Sequence, residues 1–329
     1  MSQEVVEQTF SVSGRAKLVI SNVRGSVVVR PGEPGTISIQ AVKHTDSGNR
    51  TEVRLSQDED GTVRAEARHD DGVLGLMSFS KPMKVDFTAS VPPDTDLKAS
   101  VVSSGLVVTG LSGSVDLNGV SGNIELADLS GLLKIKIVSG DVSAARVTGN
   151  LNVDAVSGDV RLHDSQLGSA EVKTVSGDVH LQTPLGAGPY QFNTVSGDVR
   201  LVTQPEAACT AELSTISGRI VAAMPQTARR LRGASQTLDI QGGGVRVYLR
   251  SVSGDLIIGT EDEITEQAAP DAPEAPIPPA APPAPTPSAP PTPISPAPPA
   301  PSLTTAEILE KIERGEMSVE EGLKLIQGG

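Results

Sequence analysis

One phrase returns again and again along this chain, and it limits the possible folds more than any other feature. It reads DAVSGDVRL from Asp154 to Leu162, KTVSGDVHL from Lys173 to Leu181 and NTVSGDVRL from Asn193 to Leu201. Its glycine stands at Gly122, Gly140, Gly158, Gly177, Gly197, Gly218 and Gly254, and the first five spacings are 18, 18, 19, 20 and 21 residues. A looser class lies midway, at Gly113, Gly131, Gly149 and Gly168. A near-fixed period of this length is the mark of a solenoid, in which each repeat is one coil packed on its neighbours. The last interval, Gly218 to Gly254, is 36 residues. It is expected to hold two coils, with a decayed motif near Gly233-Ala234-Ser235.

The phase of the apolar residues says what the phrase does. Val172 and Thr174 share one parity, whereas Val175, Val179 and Leu181 share the other. The same slip separates Phe192 and Thr194 from Val195, Val199 and Leu201. Successive side chains of a strand point to opposite faces, so a slip repeated at one place means a corner there. Glycine enters positive φ without steric cost, and a neighbouring Asp can hold the bend through nearby backbone. The spacing therefore predicts an all-β, solenoid-like stack of 18–21-residue coils, with one such corner per coil.

Aromatics make up only 2% of the chain, with no Trp. A thin core of Val, Leu and Ile suits stacked strands about 4.8 Å apart. Residues 1–100 alternate apolar and polar without a strict repeat, and are expected to form an irregular β cap on the solenoid of residues 101–262. Within the cap, Lys17–Gly32 reads as two short strands and a turn. At the other end, Gly244–Gly259 is expected to finish the stack.

Residues 263–302 are a Pro/Ala-rich linker, with sixteen prolines between Pro270 and Pro301. Such a composition favours polyproline II and cannot pack a core. Residues 303–329 change character again. Thr304 with Glu307 and Ser318 with Glu321 are capping boxes, and Gly315 suits a helix C-terminus. Two short helices would form a hairpin too small to be stable alone, so it should dock on something. Its docking residues are expected to be Ile308, Leu309, Ile312, Leu323 and Ile326.

Chemistry is sparse. The four histidines lie in no nucleophile–base motif, and no G-x-S-x-G elbow exists, so no catalytic residue is assigned. A column of Asp141, Asp159, Asp178 and Asp198, one per coil, raises the alternative of a Ca²⁺-binding repeat. Ca²⁺ needs six to eight oxygens, however, and the G-G-x-G-x-D signature is absent. No metal and no cofactor are expected. The net charge of -13 disfavours nucleic acid. The basic run Arg229-Arg230-Leu231-Arg232 reads as a solvated loop. A single Cys209, no visible signal peptide and no apolar span of about 20 residues lead to an expected cytoplasmic location without direct membrane insertion.

The runs FSVSGRAKLVISNVRGSVVVRPG and SVPPDTDLKASVVSSGLVVTGLSGSVDLNGVSGNIEL, followed by serial VSGDV, resemble the bacterial β-strand-repeat family labelled "putative adhesin". This is a domain of unknown function found in LiaX-like and YvlB-like envelope-stress proteins. The terminal EILEKIERGEMSVEEGLKLIQ resembles the SHOCT-like helical hairpin that accompanies it. The resemblance implies a β-solenoid-like fold and a role in adhesion or in envelope-stress sensing, with no catalytic residues to carry over. The expected function is a non-enzymatic interaction or scaffold protein. Its solenoid would be a binding platform, and its hairpin would bind a protein partner or mediate self-association. The alternative is a surface adhesin-like or Ca²⁺-binding repeat protein.

Overall fold

The computed structural model describes residues 2–45, 51–69 and 83–261. The chain opens with β1 (Ser2–Ser11), β2 (Lys17–Pro31), β3 (Thr36–Thr45), β4 (Thr51–Gln57), β5 (Val63–His69), β6 (Lys84–Val91) and β7 (Asp96–Thr109). Longer and shorter strands then alternate: β8 (Val115–Ser121), β9 (Ile124–Ala127), β10 (Ser130–Ser139), β11 (Val142–Ala145), β12 (Thr148–Ser157), β13 (Val160–His163), β14 (Gln166–Ser176), β15 (Val179–Gln182), β16 (Tyr190–Ser196) and β17 (Val199–Val202). The last group is β18 (Cys209–Ser214), β19 (Ile220–Ala222), β20 (Gln226–Arg232), β21 (Ser235–Ile240), β22 (Val245–Arg250) and β23 (Leu256–Gly259).

Each coil contributes one strand to each of two parallel stacks. The first stack runs β2, β7, β8, β10, β12, β14, β16, β22, β18. The second runs β2, β7, β9, β11, β13, β15, β17, β23, β19. The inward side chains form ladders. Ile124, Val142, Val160, Val179, Val199, Leu256 and Ile220 are in register and buried. Each such burial stabilises by about 1.5–3 kcal/mol, set against the entropy of ordering the chain. The parity slip at each corner lets both strands of a coil face this one core.

Two features of the structure differ from the sequence expectation. Lys17–Pro31 is one continuous strand rather than two strands and a turn, and it already carries the corner, at Gly25 with φ 127°. The repeat therefore begins in β2, where Val23-Arg24-Gly25 replaces Val-Ser-Gly.

The second correction concerns the 36-residue interval. It holds no extra coil. β20 and β21 form an antiparallel hairpin that turns at Gly233, and β21 pairs with β18. The chain then comes back, and β22 and β23 insert between the coil of Gly197 and the coil of Gly218. So Gly244–Gly259 forms the penultimate rung, and the Gly218 coil ends the stack. The reason lies in β20. Its residues are exposed on both faces and include Arg229, Arg230 and Arg232, so it has no aliphatic face to stack.

Both ends of the stack are closed by antiparallel strands, which avoids bare parallel edges. At one end, β5 and β4 extend the first stack, and β6, β3 and β1 extend the second. At the other end, the Gln236 side chain stands in for a missing rung beside β19. Its Nε2 donates to the Gly218 carbonyl at 2.9 Å, and its Oε1 accepts from the Ile220 N–H at 3.4 Å.

Candidate interaction surface

The corner glycines form a column of close backbone approaches. A Cβ built on Gly158 would stand 2.2 Å from the Gly140 carbonyl oxygen, and φ there is 115°. Gly122, Gly140, Gly177, Gly197, Gly254 and Gly218 sit in the same way, all at positive φ, each against the carbonyl of the preceding rung. Only glycine fits both requirements.

The aspartates beside them form a second column. The Asp141 Oδ1 accepts from the Asp159 N–H at 3.0 Å, Asp159 from Asp178 at 2.9 Å, and Asp178 from Asp198 at 2.9 Å. The series continues unbroken through the inserted coil, from Asp198 to the Asp255 N–H and from Asp255 to the Arg219 N–H, each at 2.9 Å. Asn123 starts it by accepting from the Asp141 N–H. Each carboxylate thus closes a corner amide of the next coil. The second oxygens meet arginines: Arg161 on Asp159, Arg200 on Asp178 and Asp198, Arg219 on Asp255. Among the described residues, no cluster of His, Cys, Asp or Glu is arranged to hold a metal ion. Apart from the second oxygen of Asp141, the carboxylate oxygens of this column are engaged within the fold.

The valine of the phrase does something different. Val175 and Val195 share the parity of buried Val179 and Val199, but they point outward, as does Ile216. The slip falls after Val, not before it, because the chain bends over Ser-Gly-Asp. Val102, Val120, Val138, Val156, Val175, Val195 and Val252 are each 42–49% exposed, and Ile216 is 84% exposed. They are successive rungs in register, so they make a continuous aliphatic ridge about 34 Å long at the strand spacing. Single exposed valines need no explanation, but a contiguous apolar strip marks an interaction surface.

Beside the ridge, along the early coils, runs a groove of about 480 Å³. Its floor is the residue before each valine: Asn22, Val101, Gly119 and Ile137. Its walls are Val102, Val120, Val138 and Val156 on one side, and Ser100, Asn118, Lys136 and Asp154 on the other. Asn22 is buried, with its Nδ2 donating to the Val85 carbonyl, and its buried Oδ1 has no hydrogen-bond partner among the described residues. In the later coils the floor position holds Thr174, Thr194 and Thr215, whose hydroxyls donate to the carbonyls of Ser176, Ser196 and Ser217.

Other residues singled out in the sequence take structural places. Cys209 is fully buried, and burial pushes its thiol up to about 11, so it is an inert core residue. His180 stands half-buried on the outer face of the second stack. Burial, then Arg200 and Arg161, hold its pKa below the ordinary histidine value. The run Arg229–Arg232 is the edge strand β20 rather than a loop, and its charges protect that edge. Ile308, Leu309, Ile312, Leu323 and Ile326 lie outside the described residues.

Parallel coils that share corner glycines, an amide-capping Asp ladder and antiparallel end caps define a β-stack domain built to display its corners. The model of the Toastrack DUF4097 family matches residues 16–259, and the chain belongs to that family. No curated protein matches the chain. Among solved structures, it is similar to a protein described as a "putative adhesin" from Bacteroides fragilis NCTC 9343. That protein is 13% identical, with 78% of this chain and 97% of that chain covered, and a TM-score of 0.38. A second "putative adhesin", from Parabacteroides distasonis ATCC 8503, is 10% identical over 78% and 97%, with a TM-score of 0.38. A "putative lipid binding protein" from the same organism is 11% identical over 78% and 97%, with a TM-score of 0.39.

Proposed function

We propose that this chain is a non-catalytic interaction platform, in which a rigid β-stack presents its ridge and groove to a binding partner. The observation that supports this most is the unbroken aliphatic ridge from Val102 to Ile216, exposed beside corner glycines packed on the carbonyls of the preceding rung. The resemblance to envelope-stress proteins adds a context: the platform would serve in sensing or regulating envelope stress. Residues 303–329 would act as a tethered docking module, using Ile308, Leu309, Ile312, Leu323 and Ile326. The linker would supply reach, since the 32 residues from Pro270 to Pro301 would extend roughly 100 Å as polyproline II.

The test is affinity capture from the native host with three baits: the full chain, the chain lacking residues 303–329, and the full chain with Val138→Asp. The proposal expects at least one specific partner of the full chain to be lost in each altered bait. Equal capture by all three baits would contradict it.

A further inference from the structure

We propose that the far end of the second stack is a strand-addition site, which takes an extended, acidic segment of a protein partner as one further rung on β19. This surface is distinct from the groove, so the proposal goes beyond the platform reading and stands or falls separately.

The first argument is a gap in the closure of this end. Only the first stack is covered: β21 and β20 carry it two strands past β18, whereas the second stack stops at β19. Neighbouring strands lie about 4.8 Å apart, so the hairpin overhangs β19 by about 10 Å. Among the described residues, β19 pairs with β23 on one edge and with no strand on the other.

The second argument is the set of backbone groups on that free edge. Alternate residues of a parallel strand turn their N–H and C=O to the same neighbour. The Arg219 carbonyl and the Ala223 N–H bond to Leu256 and Ile258 of β23, so Gly218, Ile220 and Ala222 face the open side. One residue of an added parallel strand would donate to the Gly218 carbonyl and accept from the Ile220 N–H. The Gln236 side-chain amide makes that same pair of bonds, the first at 2.9 Å and the second stretched to 3.4 Å. A side chain thus occupies the place of a peptide group. Gln226 Nε2 donates to the Ala222 carbonyl in the same manner. The next pair along, the Ile220 carbonyl and the Ala222 N–H, is bonded by neither glutamine. A strand would satisfy the whole edge, which is how main-chain hydrogen bonds give affinity in strand addition.

The third argument names the occupant's side chains. Cross-strand pairs of an antiparallel ladder share a face. Leu231 pairs with Gln236, so it lies on the face of the overhang that looks under β19. Leu231 is 69% exposed, and among the described residues Ile216, at the last corner, is the one large hydrophobic more exposed. The added residue that bonds Gly218 and Ile220 stands opposite Arg219, which is exposed and takes the position of Asp255 at the end of the aspartate column. A carboxylate there meets Arg219, and its apolar neighbours turn inward to Leu231. Arg229, Arg230 and Arg232 make no ion pair among the described residues. In a chain of net charge -13 they are a local concentration of positive charge. They draw in an acidic strand and hold the same end of a second copy away.

Fluorescence anisotropy of the full chain with a fluorescein-labelled heptapeptide of alternating glutamate and valine tests this. The peptide should bind saturably and slow hydrogen exchange across residues 218–223. A lysine–valine peptide should bind about tenfold more weakly, and so should the glutamate–valine peptide methylated on its glutamate nitrogens. Leu231→Asp should weaken binding about tenfold and Arg229→Glu several-fold. Gln236→Ala removes the internal competitor and should tighten binding several-fold. Val138→Asp, on the ridge, should leave it unchanged. Absence of saturable binding overturns the proposal, as does full binding of the methylated peptide or weaker binding by Gln236→Ala. Complete displacement of the peptide by a thymidine oligonucleotide would show a general anion site and overturn it too. The platform reading would survive each of these results, because its ridge is tested by Val138→Asp in the capture experiment.

Discussion

The corner of the early coils and the corner of the late coils share one backbone path yet differ in one position. Where the early coils place Val101, Gly119, Ile137 and Ala155, the late coils place Thr174, Thr194 and Thr215. The threonines tie their hydroxyls to the corner carbonyls. The early residues make no such bond and leave a groove. The corner glycine runs through both halves from Gly122 onward, and the aspartate from Asp141 to Asp255. The comparison separates what the coil needs in order to exist from what it is free to display.

The largest effects should come from the shared part. Gly140→Ala puts a Cβ 2.4 Å from the Gly122 carbonyl oxygen at a φ of 129°, and should cost about 3 kcal/mol or more in chemical denaturation. Gly105→Ala, with open space and no positive φ, should stay within about 0.5 kcal/mol. Equal costs at the two sites would break the distinction.

Next comes the aspartate column. Asp178→Ala leaves the Asp198 N–H without its acceptor and should cost about 1–2 kcal/mol. Asp178→Asn keeps an acceptor and should cost less than about 1 kcal/mol. Neither Ca²⁺ nor a chelator should move the wild-type melting temperature. A Ca²⁺-dependent rise would mean that the column is a site after all.

The threonine brace is worth less. Thr194→Val should cost about 1 kcal/mol, whereas Ile137→Val, on a floor without the brace, leaves the corner bonds untouched. The smallest effect sharpens the comparison through pH. His180 has a folded pKa below its unfolded value, so it takes up protons more readily when unfolded. Its contribution favours folding above the ordinary histidine value and declines as pH falls from there toward the depressed folded pKa. His180→Gln should flatten that part of the stability profile, measured by denaturation between pH 5 and 8.

Much of this was legible in the chain. The period of 18–21 residues fixed the coil, and the parity slip fixed a corner at Ser-Gly-Asp. The side chosen for valine went wrong because parity locates a slip only to within the bend. Thr174 and Val179 are both buried, and the residues between them follow no strand period. The insertion of β22 and β23 was hidden for another reason. Sequence spacing reports chain length between rungs, not their order, and a hairpin of 226–240 consumes the length of a coil. The corner of β2 was masked by Arg24 in place of serine.

The most direct measurement compares two residues of one phrase. Val175 is 48% exposed, and two positions on, a Cβ on Gly177 would lie 2.1 Å from the Gly158 carbonyl oxygen. Thermal unfolding of Val175→Thr and Gly177→Ala therefore tests whether the phrase divides into a displayed half and a structural half. Val175→Thr is expected to melt within about 2 °C of wild type, and Gly177→Ala roughly 10 °C lower. A Val175→Thr chain that melts as early as Gly177→Ala would contradict the account.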